Sequence, residues 1–173
     1  IKLQEQEYYS IGKISPSPDN SLIAYTEDNN GRLEYDIRII DTSTLNILND
    51  SISNASYDVI WSNDTEYFIY LKKDPTTLIN DSVYVHKIGT SEEEDVLIYK
   101  EVDPESNINL YTSKTKKYAY IDIDSTNSNE IRLIELNNPL KEPYIFIKRS
   151  ENHLYYLEHI KDEEFLIRSN KDA

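Results

Sequence analysis

The sequence predicts an all-β protein built as a partial β-propeller of four-stranded antiparallel blades, about three and a half of them. A polar turn that opens with serine recurs at Ser17, Ser62 and Ser113, at intervals of 45 and 51 residues. Each turn leads into a short run rich in Tyr, Ile, Val and Phe, residues that favour strands. No segment repeats its apolar residues with the helical period over three turns. Four strands in a repeat of about 45–50 residues are typical of propeller blades.

A β-sandwich is the structural alternative, because it also consists of short strands separated by turns. It does not explain why the serine turn returns only once in every four predicted strands.

The first predicted blade covers residues 1–50. Its turn is Ser17-Pro18-Asp19-Asn20, its second strand contains residues 22–25, and a later strand contains residues 37–41. Proline and asparagine favour the turn, and the apolar runs on either side favour strands.

The second predicted blade covers residues 51–102, with the turn Ser62-Asn63-Asp64-Thr65. Its four strands are predicted at residues 57–61, 66–72, 82–88 and 95–100. The second of these is apolar on both faces, which is typical of a strand inside a sheet that is packed between two other sheets.

The third predicted blade covers residues 103–150, with strands at residues 118–121 and 131–135 after the turn at Ser113. Residues 151–173 are predicted to start a fourth blade. There, strands at residues 155–160 and 165–167 flank the turn Lys161-Asp162-Glu163.

The composition excludes several classes of function. The chain of 173 residues carries 18 Lys and Arg against 32 Asp and Glu, a net charge of −14. Nucleic acids and anionic membranes both require a basic surface, so neither is an expected partner. No apolar run approaches the length of a membrane span, and no signal peptide opens the chain.

Missing residue types add further expectations. The chain has no Cys, which excludes disulfides, thiolate metal sites and a cysteine nucleophile and fits a cytoplasmic location. It also has no Met, even at position 1, so we expect a segment of a longer protein. The abundance of Ile, Asn, Lys and Tyr over Arg is typical of a bacterial source with an AT-rich genome.

No catalytic site is expected in this chain. A nucleophile elbow needs glycines on both sides of its serine, and the only glycines are Gly12, Gly31 and Gly89. Ser15 follows Gly12 by three residues but precedes a proline, so it does not fit the pattern. Three histidines are present, and without a nucleophile they are best interpreted as surface or structural residues. They are His86, His153 and His159.

No metal site and no other cofactor are expected either. Asp122 and Asp124 share one face of a predicted strand, and residues 92–95 form an acidic run. A calcium site needs a compact loop that supplies six or more oxygens and contains a turn glycine, and neither segment has one. The acidic run is interpreted as a solvated turn.

Four segments resemble a known family. The turn at Ser17 leads into Asp28-Asn29-Asn30-Gly31-Arg32-Leu33-Glu34-Tyr35. Together they resemble the first propeller blade of the prolyl oligopeptidase family, in particular of its oligopeptidase B (protease II) branch. Residues 83–90, 95–101 and 165–173 resemble later segments of the same propeller, the last of them closing on Asn-x-x-Ala. Leu33 is an extra residue relative to the family pattern, and the turns at Ser62 and Ser113 lack its proline.

The resemblance implies a non-catalytic role. It implies a serine peptidase whose seven-bladed propeller covers an α/β-hydrolase domain and admits only short peptides, which oligopeptidase B cuts after Lys or Arg. The Ser, Asp and His of the triad belong to the hydrolase domain, downstream of the region that resembles this chain. The implied partners are the hydrolase domain of the same parent chain and, for the parent, short basic peptides.

Three further hypotheses accompany this interpretation. The acidic surface of the propeller could steer basic peptides inward, although net charge also serves solubility alone. The chain could instead be a free-standing propeller interaction module, of the WD or translocation-associated type, without a hydrolase. A partial ring would leave one blade face uncovered, which predicts self-association of the isolated chain.

Overall fold

The computed structural model describes residues 8–172, and within that range the chain is a partial β-propeller made of antiparallel sheets. Its first sheet has seven strands in the order of the chain. These are β1 (Ser10–Pro16), β2 (Leu22–Asp28), β3 (Tyr35–Asp41), β4 (Ile47–Trp61), β5 (Tyr67–Lys73), β6 (Asn80–Lys87) and β7 (Val96–Lys100).

The long strand β4 runs through two successive groups of four strands. Residues 47–55 pair with β3, and residues 55–61 pair with β5. The strand predicted at residues 57–61 is therefore only the second half of a longer strand. Asn54 has a φ of 54° and lies between the halves, next to irregular pairing. A left-handed residue at a bulge bends a strand, and this bend carries β4 from one blade into the next.

Two smaller sheets complete the described chain. The second sheet consists of β8 (Asn107–Thr112), β9 (Tyr118–Asp124), β10 (Asn129–Glu135) and β11 (Tyr144–Ile147). The third sheet consists of β12 (Tyr155–Lys161) and β13 (Glu164–Ser169). We name the groups blade 1 (β1–β3 with residues 47–54), blade 2 (residues 55–61 with β5–β7), blade 3 (β8–β11) and blade 4 (β12 and β13). Ala173, the last residue of the Asn-x-x-Ala motif, and residues 1–7 lie outside the described residues.

The serine turns have the same geometry in blades 1, 2 and 3. Ser17 Oγ accepts the N–H of Leu22 at 3.0 Å, and Ser62 Oγ accepts the N–H of Tyr67 at 3.0 Å. Ser113 Oγ accepts the N–H of Tyr118 at 3.1 Å. The fourth residue of each turn has a positive φ, and it is Asn20, Thr65 or Lys116. The repeat visible in the sequence is thus a repeated hydrogen-bonded turn, with a buried serine hydroxyl that satisfies a backbone donor.

The second strand of each complete blade is buried on both faces, as the apolar runs predict. In β5 the four residues from Phe68 to Leu71 are each at most 1% exposed. In β9 the residues from Ala119 to Ile121 are fully buried. These strands lie between two layers of apolar side chains, one shared with the preceding blade and one with the following blade. Burial of these layers supplies the main driving force for stacking the blades.

Helical structure in the described residues is limited to one 3-10 turn at Glu92–Glu94, which Ser91 caps. Its three residues belong to the acidic run that the sequence interprets as a solvated turn, and none of them is buried. The last residue of the run, Asp95, departs from that interpretation, because its side chain is 2% exposed and contacts His86. No helix within residues 8–172 is both long enough and apolar enough to cross a membrane.

Candidate functional site

The first strands of the four blades lie side by side and form one continuous surface. We call β1, residues 55–61, β8 and β12 the inner strands. Ser15 Oγ donates to the carbonyl of Val59 at 3.3 Å, and Trp61 Nε1 donates to the carbonyl of Ser15 at 2.9 Å. At the other end of the row, the N–H of Lys114 donates to Glu158 Oε1 at 3.0 Å. The blades are therefore arranged around a common inner edge.

A polar hollow of about 720 Å³ follows the inner strands of blades 1, 2 and 3. Lys13 and Asp58 form an ion pair across its wall, with Nζ and Oδ1 2.7 Å apart. Tyr57 is 51% exposed beside this pair. Aromatic, amide and charged side chains share the remaining lining, among them Asn109, Tyr111 and Lys116. Such a surface offers hydrogen-bond donors and acceptors to an extended peptide, but it does not contain the carboxylate excess that the whole chain carries.

One carboxylate near the hollow is partly desolvated. Asp122 Oδ1 accepts a hydrogen bond from Asn129 Nδ2 at 3.1 Å, and Asp122 lies opposite Asn109 in the β8–β9 ladder. Burial is the main cause that raises the pKa of Asp122 to about 6; the hydrogen bond from Asn129 opposes this rise and the charge of Asp124 adds to it. Asp122 thus changes its charge close to neutral pH.

The histidines do not build a catalytic triad. Nδ1 of His159 lies 2.6 Å from the hydroxyl oxygen of Thr115, and Nε2 of the same ring donates to the carbonyl of Asp162. His153 Nε2 contacts Ser169 Oγ at 2.9 Å. Within residues 8–172 no hydroxyl is joined through a histidine to a carboxylate, the arrangement that nucleophilic hydrolysis uses.

The remaining histidine lies away from the hollow, in the contact between blades 1 and 2. His86 is fully buried, and its two ring nitrogens contact Asp95 and Asp50. The sequence does not indicate Asp50 as a partner of His86, because the two residues are 36 positions apart.

The described residues offer no metal centre. Between residues 8 and 172 no three His, Cys, Asp or Glu residues are grouped so that they could hold a metal ion. Asp122 and Asp124 are on one face of β9, as their spacing predicts, and each lies opposite an asparagine of β8.

The family-like loop after β2 is organised by one carboxylate. Asp28 is fully buried and accepts hydrogen bonds from the N–H groups of Asn30, Gly31 and Leu33 at 2.8–2.9 Å. Burial alone would raise the pKa of Asp28, but these backbone donors outweigh it and lower the pKa. Gly31 has a φ of 75°, which glycine adopts without strain. Leu33, the extra residue of this loop, adds one of the donors.

A family model described as "Prolyl oligopeptidase, N-terminal beta-propeller domain" matches residues 3–173. The chain belongs to the prolyl oligopeptidase family. Dipeptidyl aminopeptidase BI of Pseudoxanthomonas mexicana is 34% identical over 171 residues, which are 97% of this chain and 23% of that protein. Protease 2 of Moraxella lacunata is 28% identical over 176 residues, 98% of this chain and 25% of that protein.

Solved structures of the prolyl oligopeptidase family agree with the fold. Oligopeptidase B from Leishmania major superposes with a TM-score of 0.92 at 23% identity, over 97% of this chain and 24% of that one. Oligopeptidase B from Trypanosoma brucei superposes with a TM-score of 0.87 at 25% identity, over 96% of this chain and 23% of that one.

The chain therefore spans about a quarter of the length of these relatives. In the homologous parent chains, the propeller domain of the prolyl oligopeptidase family sits with a catalytic hydrolase domain.

Sequence reasoning missed the residues that hold consecutive blades together. Arg149, between β11 and β12, contacts Glu101 and Asp103 in the segment that joins β7 to β8. Tyr155, at the start of β12, bonds to the backbone of β10 and β11. A tyrosine in an apolar strand and an arginine in a polar loop look ordinary in a sequence, because their partners lie 8 to 48 residues away.

Proposed function

We propose that this chain is the non-catalytic propeller segment of an oligopeptidase B-like serine endopeptidase, where it limits access to the hydrolase domain to short peptides cut after Lys or Arg. The observation that carries the proposal is the row of inner strands around a polar hollow, with no hydroxyl–histidine–carboxylate arrangement among the described residues. Similarity to Protease 2 and to two oligopeptidases B supports the choice of branch.

The acidity of the chain supports a preference for basic peptides through long-range attraction. The net charge of −14 lies mainly outside the hollow, whose lining includes Lys13 and Lys116 as well as Asp58. Steering would therefore act on the approach of a cationic peptide and weaken as the ionic strength rises.

A second candidate function follows from the 34% identity to a dipeptidyl aminopeptidase. In that case the parent enzyme would release dipeptides from a free amino terminus rather than cut within a peptide. The propeller would still restrict access, but the preferred substrate would carry an unblocked α-amino group.

The experiment that tests the function is an exchange of propeller segments. The matching N-terminal segment of Protease 2 from Moraxella lacunata is replaced by residues 3–173 of this chain, and the purified hybrid is assayed with three substrates. These are an N-terminally blocked peptide arylamide with arginine before the leaving group, an unblocked dipeptidyl arylamide, and denatured casein.

We expect the hybrid to cleave the blocked arginine peptide and to leave casein intact, while this chain alone cleaves none of the three. Cleavage of casein by the folded hybrid would contradict the gating role. A loss of cleavage of the blocked peptide, with the dipeptidyl arylamide still cleaved, would favour the second candidate. Turnover by the isolated chain would overturn the non-catalytic role itself.

Self-association of the isolated chain is part of the proposal. The outer face of blade 4 exposes Tyr156 and Leu166 to 57% and 64%, and β13 pairs with a neighbour on one side only. We expect sedimentation velocity to detect dimers at high concentration, and Leu166→Lys to reduce them. A strict monomer at the highest soluble concentration would contradict the proposed self-association.

The cytoplasmic location expected from the sequence also stays a proposal, which fractionation of source cells would test.

A further inference from the structure

A buried chain of polar groups connects blade 1 to blade 2 at a distance from the inner strands. Nδ1 of His86 lies 2.6 Å from Oδ1 of Asp95, and Nε2 lies 3.0 Å from Oδ1 of Asp50. The side chain of His86 is 0% exposed, and those of Asp50 and Asp95 are 4% and 2% exposed. Asp50 belongs to the part of β4 that pairs with β3, whereas His86 belongs to β6. The imidazole therefore spans the contact between the two blades.

The geometry requires a proton on each ring nitrogen if both carboxylates are ionised. An ionised carboxylate only accepts hydrogen bonds, so each nitrogen that faces one must donate. A neutral imidazole has one donor and one acceptor, and it would place a bare nitrogen against a carboxylate oxygen inside the protein.

Asp95 and Asp50 each accept a further hydrogen bond from a donor outside the imidazole ring. Tyr70 donates from its hydroxyl to Oδ2 of Asp95 at 2.7 Å, and the N–H of Gly89 donates to Oδ1 of Asp50 at 2.5 Å. Each carboxylate is therefore held in place by a second donor besides the imidazole ring.

Two carboxylates and the aromatic side chains of Phe68 and Tyr70 surround the His86 ring. Asp50 faces it from β4, and Asp95 faces it from the segment after the 3-10 turn. From β5 the ring of Phe68 packs against it at a centroid distance of 4.8 Å, and Tyr70 reaches it through Asp95. The next carboxylate, Glu92, is paired with Lys72. Burial would lower the pKa of His86, but the hydrogen bonds and charges of Asp95 and Asp50 outweigh it and raise the pKa.

We propose that His86 is a built-in proton-binding site, a buried imidazolium that clamps blade 1 to blade 2 and opens when its proton is lost. Loss of the proton leaves the ring with one N–H for the two carboxylates that it faces, so the polar contact between the blades weakens. This contact does not depend on the peptidase role proposed above, because none of its residues lines the hollow.

The sign of the pH dependence follows from the raised pKa in the folded state. The contribution of His86 to stability is complete below the pKa of an unfolded histidine, about 6.5, and it is lost as the pH rises through the higher folded pKa. Between the unfolded and the folded pKa of His86, each pH unit changes the unfolding equilibrium constant about tenfold.

The first test is a direct count of protons on the ring. In ¹⁵N-histidine-labelled protein at pH 7, we expect both ring nitrogens of His86 to give N–H correlations, with the signals assigned through their loss in His86→Gln. His153 and His159 serve as internal references in the same spectrum. One bare ring nitrogen at His86 at pH 7 would overturn the proposal.

The second test measures stability by urea unfolding of the whole chain between pH 6 and pH 9.5. The ratio of the unfolding constants of His86→Gln and the wild type should shrink as the pH rises over this range, because only the wild type loses the imidazolium. His153→Gln, the matched control, should follow the wild type at every pH. An equal pH dependence for His86→Gln and the wild type would also overturn the proposal. If His86→Gln does not fold, Asp50→Asn is used to assign the N–H signals of His86. The count of protons on the ring still tests the proposal in that case, because it needs only folded wild-type protein.

Discussion

The hydroxyl of Tyr155 accepts a hydrogen bond from the backbone N–H of Ile131 at a distance of 2.8 Å. The same hydroxyl donates to the carbonyl of Ile147 at 3.0 Å. One side chain of blade 4 therefore satisfies backbone groups of both β10 and β11, where their pairing is irregular. The ring itself is fully buried among apolar side chains of blade 3.

Replacement of this hydroxyl should destabilise the contact between blades 3 and 4. We expect Tyr155→Phe to lower the free energy of unfolding by about 1–3 kcal/mol, because a buried donor and a buried acceptor lose their partner. Tyr156→Phe is the matched control, since Tyr156 is the next residue and 57% exposed. Urea unfolding of both variants measures the difference, and equal stabilities would contradict the assigned role.

The loss of the Arg149 side chain should lower the stability of the protein strongly only while its partner, Glu101, is charged. Its Nη2 atom lies 2.5 Å from Glu101 Oε2, and the Glu101 side chain is 6% exposed. We expect Arg149→Met to cost about 2–4 kcal/mol, because it removes the cationic partner of a buried carboxylate, and Arg149→Met with Glu101→Met to recover part of that loss.

The control for Arg149→Met is Lys141→Met, which removes an exposed ion pair with Glu135 and should change the free energy of unfolding by about 0.5 kcal/mol or less. If the double variant lost more unfolding free energy than the two single variants together, the uncompensated charge of Glu101 would not be the cause of the loss in Arg149→Met.

Asp122 should destabilise the folded chain at neutral pH. Its folded pKa of about 6 exceeds the usual value of 3.8, so the penalty is absent below pH 3.8 and complete above pH 6. We expect Asp122→Asn to stabilise the protein by about 1–2 kcal/mol at pH 7.5, a figure reduced for partial exposure to solvent. The advantage should vanish near pH 3.5.

Asp124→Asn serves as the comparison and should give a smaller gain than Asp122→Asn, because Asp124 is exposed and only its charge acts on the pKa of Asp122. Urea unfolding at both pH values provides the measurement. A gain for Asp122→Asn that stays constant between them would exclude desolvation of the carboxylate as its origin.

Two exposed leucines occupy strained backbone positions in turns of identical form. Leu45 and Leu78 have φ values of 59° and 60°, and each follows a turn in which an aspartate oxygen accepts two backbone N–H groups. Leu45→Gly should stabilise the chain by about 0.5–1 kcal/mol, because relief of the left-handed strain exceeds the added entropy of the unfolded chain. Leu140→Gly, in a turn with negative φ, should give no gain in thermal unfolding. A loss of stability in Leu45→Gly would contradict the strain.

Much of the strand pattern could be predicted because it depends on neighbouring residues. The buried residues of β5 and β9 form continuous apolar runs, and the turn at each serine is closed by a side chain and an N–H five residues apart. The first half of β4 was missed because Asn49, Asp50 and Ser51 look like a loop. A ladder of backbone hydrogen bonds does not require apolar side chains, and β3 was already in place to form one.

The sequence by itself determined the β architecture, its repeat of about 45–50 residues and the family to which the chain belongs. It also indicated that no nucleophile elbow can be written with glycines at only three positions. Only the tertiary structure decided which polar groups meet, such as His86 with Asp50 and Arg149 with Glu101. The physical reason is separation along the chain. Apolar periodicity records whether a side chain is buried, but the partner of a buried charge is chosen by how one blade stacks on the next.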